Sequence, residues 1–386
     1  MRSFRLRAGG RSGPVCSGTR TGAAALGLAV LATTGCQMRS GAEPPAPGDG
    51  SARAAPAAVR VLHVEPRGDR DGSGARDDPF GSLASALPQL RAGDTLLLAG
   101  GTYEERIDAE LAPGRADAPI RVQAEGDEQP LLRGLLWLEE PTWWRIEGLD
   151  VSWDDESASD EHMVKVTGGQ DWVLSDAEIW GARSYAAVLV AGEPERFTLR
   201  RLHVHDTRST NGTNEDHLIY LNSGSGGGVV EQCLLVGSPN GRAIKVGPAD
   251  EDGPAVENLT IRYNTMIDNR GPSNVQFAWD SGANLVYRNI MLGAAPDRPN
   301  VTTFDLSGTG NTVRDNIGAG STAVLEPRTE GLVDGGGNLR IDPQLVEAEE
   351  LPYVPARPEA AGYGYAAPAA RAEEELTGDI EGGDRG

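Results

Sequence analysis

Of 35 basic side chains in the 386 residues, only Lys165 and Lys245 are lysines. A GC-rich coding bias explains the shortage, so the two survivors mark places to look. Lys245 lies three positions after Arg242. A neighbouring cation lowers a lysine pKa, which suits the amine to act as a base. Tyr220 or His217 can supply the complementary acid, or take the role of base instead. Arg242, or a bound Ca²⁺, can hold a carboxylate. Together these functions are what β-elimination on a uronic acid requires. The sugar carboxylate must be neutralised, the C5 proton removed, and the leaving oxygen protonated. Paired-carboxylate hydrolysis fits less well. Asp305 and the Asp216 region are expected three coils apart, about 14 Å, too far for that chemistry.

These residues can meet only if a repeat brings them together. Apolar anchors recur at Ile146, Leu174, Leu199, Val230, Ile261, Val286 and Val313, with steps of 25 to 31 residues. Each step also holds a second short run, and none has room for a helix of ten residues. That excludes a βαβ sheet and predicts parallel strands coiled and stacked on themselves. Taking Val164, Val188, Ile219, Ile244, Val275 and Phe304 as inward anchors predicts an outward row. Its members are Lys165, Leu189, Tyr220, Lys245, Gln276 and Asp305, about 4.8 Å apart. A second row runs through His162, Ala186, His217, Arg242, Ser273 and Thr302. The catalytic candidates are therefore Lys245, Arg242, Tyr220 and His217. The substrate-binding candidates are Gln276, Asp305 and Lys165, with Trp279 for stacking. The alternative is a solvated sheet face on which Tyr220 packs across Lys245 and Asp305 bonds Gln276.

A metal site is a further possibility. His203 and His205 share one face of a strand. With Asp206, Glu215, Asp216 and His217, across a loop that folds back, they can ligate a transition metal. Trp153, Trp180 and Trp279 are read as outward and able to stack on sugar rings. Trp137, Trp143, Trp144 and Trp172 are read as core or cap. The acidic cluster at Asp154, Asp155, Glu156, Asp160 and Glu161 is read as a solvated loop. Asn264, Asn289 and Asn316 fall at one place in successive coils and predict a side-chain ladder at a tight bend. Cys233 holds the same place one coil earlier, which makes it a buried thiol.

The ends of the chain carry other signals. Five arginines and no acid precede the apolar run Ala23–Ala32, too short to span a bilayer and suited to export. Thr33-Thr34-Gly35-Cys36 resembles the end of a bacterial lipoprotein signal, with Cys36 lipidated and Thr33 standing where that class usually has Leu. The expected organisation is a signal over 1–35, a disordered tether over 36–58, a coiled domain over 59–345 and a largely disordered acidic tail over 346–386. Without residues 1–35 the formal charge of −22 becomes about −27, unsuited to nucleic acid.

The stretch GSGARDDPFGSLASALPQLRAGDTLLLAGGTYEE, with Phe80, Leu83, Leu87 and Leu90 on one helical face, caps the front of the stack. It resembles the N-terminal cap and first coil of the pectate-lyase-like superfamily. Gly336-Gly337-Asn338-Leu339-Arg340-Ile341-Asp342-Pro343 resembles a last coil of that group. The resemblance implies an all-β, single-stranded right-handed parallel β-helix with a short N-terminal capping helix. It also permits a Lys or Arg base, often with Ca²⁺, although the Asp run typical of pectate lyases is missing. The reading is an exported carbohydrate-active protein, most concretely a lyase or epimerase on uronate polymers. Its partners would be an acidic glycan and, through the lipid, a membrane; it would be a monomer. The rival is a non-catalytic surface lipoprotein that binds carbohydrate or serves as an adhesion scaffold.

Overall fold

The computed structural model describes residues 59–69, 71–153, 164–208, 216–222, 224–326, 329–348 and 351–367. The signal, Cys36, the tether, His162, Glu215 and the acidic cluster from Asp154 to Glu161 lie outside the described residues.

The chain forms a right-handed parallel β-helix. One column of side chains shows why. Leu62, Leu96, Val122, Ile146, Leu174, Leu199, Val230, Ile261, Val286 and Val313 pair strand to strand in parallel register. None is more than 7% exposed. All seven anchors expected from sequence fall in this column. Burying each such side chain is worth about 1.5–3 kcal/mol, so the column is a main source of cohesion.

The middle coils use three strands each. Glu195–Arg200, His203–His205 and His217–Leu221 make one coil, and Gly226–Glu231, Leu234–Val236 and Ile244–Val246 the next. Among the described residues, the first two strands of each coil belong to an 18-stranded sheet and the third to an 8-stranded sheet. The bend between the first two strands is sharp. Asp176, Arg201, Gln232, Tyr263, Arg288 and Asp315 occupy it with φ between +50° and +59°. Left-handed backbone costs a non-glycine residue about 1–2 kcal/mol. The asparagine ladder offsets that cost. Asn264 Nδ2 donates to Asn289 Oδ1 at 3.0 Å, and Asn289 Nδ2 to Asn316 Oδ1 at 2.9 Å. The same acceptors take the backbone N–H of the preceding coil. Asn338 extends the ladder, and Cys233 N–H donates into its other end at Asn264. Burial pushes the Cys233 thiol up to about 12, which makes it a core group and not a nucleophile. Two ladders escaped the sequence reading: Asn284 with Asn311, and Asn269 through Asn274 and Asn300 to Ser321.

The cap is shorter than the expected helix. Leu83–Ala86 is α-helical, capped by the Ser82 side chain, and Leu87–Gln89 is 3-10. Pro88 lacks the N–H that a longer α-helix needs. Phe80, Leu83, Leu87 and Leu90 are nonetheless buried on one face. At the other end, Leu345–Ala348 pairs antiparallel with Leu351–Pro355, and Ala360, Tyr363 and Ala367 are buried. A domain boundary at 345 therefore cuts a hairpin whose strands are Leu345–Ala348 and Leu351–Pro355.

The third strand of the last coils shows one register error. Val275 pairs with Val301, and Gln276 with Thr302. Phe304 is not an inward anchor; it is 49% exposed. Asp305 follows the strand Val301–Phe304 at φ +45° and does not join the row. Thr302 belongs to the first row and not the second.

Candidate functional site

With that correction, the outward row of the 8-stranded sheet runs Asp108, Trp137, Lys165, Leu189, Tyr220, Lys245, Gln276 and Thr302. Both lysines lie in it, as expected. Each sits over the aromatic ring of the coil before: Lys165 Nζ is 3.4 Å from the Trp137 ring centre, and Lys245 Nζ 4.4 Å from that of Tyr220.

Lys245, Tyr220, His217 and Arg242 form one group. Of the four, only Lys245 reaches solvent appreciably; the other three are buried. The His217 ring meets Tyr220 edge-on at 5.7 Å. Its Nδ1 accepts the Arg242 backbone N–H at 3.2 Å, which leaves the proton on Nε2 in the neutral tautomer. Burial, reinforced by the Arg242 and Lys245 charges, holds His217 neutral far below the usual imidazole range. The Tyr220 hydroxyl donates to the Pro248 carbonyl at 3.2 Å. Gly247 makes that turn possible: its φ is +135°, and a Cβ there would meet the Ala278 carbonyl oxygen at 2.2 Å. Burial raises the phenol pKa, so Tyr220 keeps its proton. Burial, then the Arg242 charge, brings Lys245 down to about 8. Arg242 is 3% exposed, and burial lowers it to about 10, so it still carries its charge at neutral pH. Its charge therefore acts from beneath the surface and not as an open fork toward solvent.

The other candidates scatter. Gln276 is buried beside Lys245 in the row. Lys165 lies three coils before Lys245, across Leu189 and Tyr220, with Glu139 and Asp108 near its charge. Trp279 stands beyond the strand Val275–Ala278 and packs edge-on against Phe304 at 5.4 Å. Trp153 is a core residue, not an outward one, whereas Trp137 lies in the outward row with its Nε1 donating to Thr167 Oγ1. Trp144 and Trp172 are core as expected.

The expected metal set is also corrected. Asp216 is buried, with its Oδ2 accepting from Asn240 Nδ2 at 3.4 Å, and His217 belongs to the lysine site. His205 meets Asp206, as the expected set has it, and Glu178, which that set lacked. Among the described residues, Glu178, His203 and His205 are the one group of three or more metal-ligating side chains within 4.8 Å of one another. Ca²⁺ wants about six to eight oxygens. The described residues supply no such set of carboxylates beside Lys245.

No family model matches the chain. It is 26% identical over 167 residues to the pectate lyase PEL9 of Emericella nidulans, across 42% of this chain and 38% of that protein. It is 23% identical over 151 residues to the uncharacterized protein YwoF of Bacillus subtilis, across 39% of this chain and 29% of that protein. The matches thus span well under half of either relative. The crystal structure of pectate lyase Pel9A superposes with a TM-score of 0.51 at 12% identity, covering 75% of this chain and 84% of that one. That likeness shows the fold.

Proposed function

We propose that the protein is a polysaccharide lyase, or the mechanistically related epimerase, acting on uronate-containing polymers outside the cytoplasm. The observation that carries this reading is the convergence of Lys245 with Arg242, Tyr220 and His217 on one outer stretch of the coil. Lys245, neutral above about 8, takes the C5 proton. Burial and then Arg242 lower the pKa of Lys245, and the Arg242 charge draws the substrate carboxylate toward an otherwise acidic protein. Tyr220, held protonated, gives its proton to the leaving oxygen. His217 positions the Arg242 backbone through its Nδ1. The pectate lyase likeness supports the substrate class. The run Ala23–Ala32 followed by Cys36 supports export and lipid anchoring.

The test is incubation with a panel of uronate polymers, following the ultraviolet absorbance of the unsaturated product. Product from wild type and none from Lys245→Ala supports the reading. No product from any polymer, with or without Ca²⁺, overturns the lyase. A non-catalytic carbohydrate binder is the second reading, favoured by the recurrence of a lysine-over-ring pair at Lys165 and Trp137. It predicts glycan affinity that survives Lys245→Ala.

A further inference from the structure

We propose that Glu178, His203 and His205 form a binding site for a divalent transition-metal ion of the zinc class, separate from the lysine site. The register builds it. Glu178 pairs with His203, and Trp180 with His205, in adjacent coils of one parallel sheet. Two imidazoles two residues apart, and a carboxylate one coil earlier, therefore project from the same face.

The three are close and already oriented. His205 Nε2 lies 2.8 Å from Glu178 Oε1, and His203 Nδ1 lies 3.6 Å from the same oxygen. Tetrahedral zinc with bonds of about 2.0–2.1 Å sets its donors about 3.3 Å apart, and the two observed distances bracket that value. The imidazoles stack at 4.3 Å between ring centres, and Trp180 lies parallel to His205 at 6.1 Å. The rings are thus held without a metal.

The hydrogen bonding around His205 also suits a bound cation. His205 has a carboxylate on each ring nitrogen: Asp206 Oδ2 at 2.9 Å from Nδ1 and Glu178 on Nε2. A neutral imidazole donates only once. With a metal ion on Nε2, Nδ1–H is left to donate to Asp206, and Glu178 Oε1 stands beside Nε2 as the next ligand. A carboxylate behind a ligating imidazole is the usual outer support of such sites. Two nitrogens and one oxygen select borderline transition ions over Ca²⁺ or Mg²⁺. The fourth position stays open on a partly exposed face, for water or a ligand hydroxyl.

The experiment is titration of the chelator-stripped full chain with Zn²⁺ by calorimetry and with Co²⁺ by visible absorption. The expected result is one saturable Zn²⁺ site and a Co²⁺ spectrum of four-coordinate type, neither displaced by excess Ca²⁺. The double variant His203→Ala/His205→Ala should lose both signals while keeping the wild-type circular dichroism. Asp206→Asn, which retains every ligand, should weaken binding about tenfold. Wild type without saturable binding, or Zn²⁺ binding undiminished in the double variant, would overturn the proposal. None of these readouts involves turnover, so the outcome is independent of the lyase reading.

Discussion

Lys165 and Lys245 occupy equivalent positions three coils apart in the same outward row. Both face outward from the 8-stranded sheet, and both cover an aromatic ring of the preceding coil. Their charged neighbours differ. Glu139 and Asp108 favour the charged form of Lys165 and oppose the effect of burial. Arg242 disfavours the charged form of Lys245 and adds to burial. One ladder thus carries a cation in acidic company and an amine poised to lose its proton. The solenoid supplies geometry alone; Glu139 and Asp108, one and two coils before Lys165, and Arg242, three residues before Lys245, decide the chemistry.

The largest expected effect separates the two directly. Lys245→Ala should lower eliminative turnover by about 10²–10⁴-fold, the range for removing a general base. Lys165→Ala should leave turnover within about tenfold, its role being limited to substrate affinity. Steady-state rates on the same polymer check both.

A lesion in the shared frame should not distinguish them. Asn289 bonds both ladder neighbours and the Ile261 and Tyr287 carbonyls from a fully buried position. Asn289→Ala should cost about 2–4 kcal/mol in urea unfolding, because it orphans several buried groups at once. The pH dependence of whatever activity remains should be unchanged.

The pH profile sharpens the contrast further. The base must be neutral, so turnover should fall about tenfold per unit as pH drops below about 8. Arg242→Met removes the cation that depresses Lys245, so this limb should move to higher pH. Glu139→Gln, which acts on Lys165, should leave the limb in place.

The smallest effect concerns stability. A lysine whose folded pKa is depressed binds fewer protons folded than unfolded. Its unfavourable contribution is therefore full below about 8 and fades as pH rises toward the unfolded value near 10.4. Lys245→Met should accordingly raise the melting temperature at pH 7 relative to Lys165→Met, by a few degrees at most. Thermal unfolding of the two variants at pH 7 and pH 10 checks the sign.

Much of this was legible in the residues. Alternating apolar positions at a recurring step placed the core column, and the same arithmetic aligned Tyr220 with Lys245. It misplaced the final coil, where Val301 and Phe304 both fall within the allowed step. Asn300 settles that register, because Asn274 Nδ2 donates to its Oδ1 at 2.8 Å and so pairs Asn274-Val275 with Asn300-Val301. That repeated dipeptide was readable. So was the pairing of Glu178 with His203, since both precede aligned apolar residues, Ile179 and Val204. The depth of Arg242 and His217 was not readable. His217 opens its strand and Arg242 lies two residues before Ile244–Val246, where alternation gives no inside or outside.

Having only two lysines allows the central claim to be tested at the amines themselves. In protein labelled with ¹³C at lysine Cε, NMR should resolve two side-chain signals. The account predicts that one titrates near 8, disappears in Lys245→Met and moves upward in Arg242→Met, while the other titrates at higher pH in all three proteins. Two signals titrating together in the ordinary lysine range would contradict it.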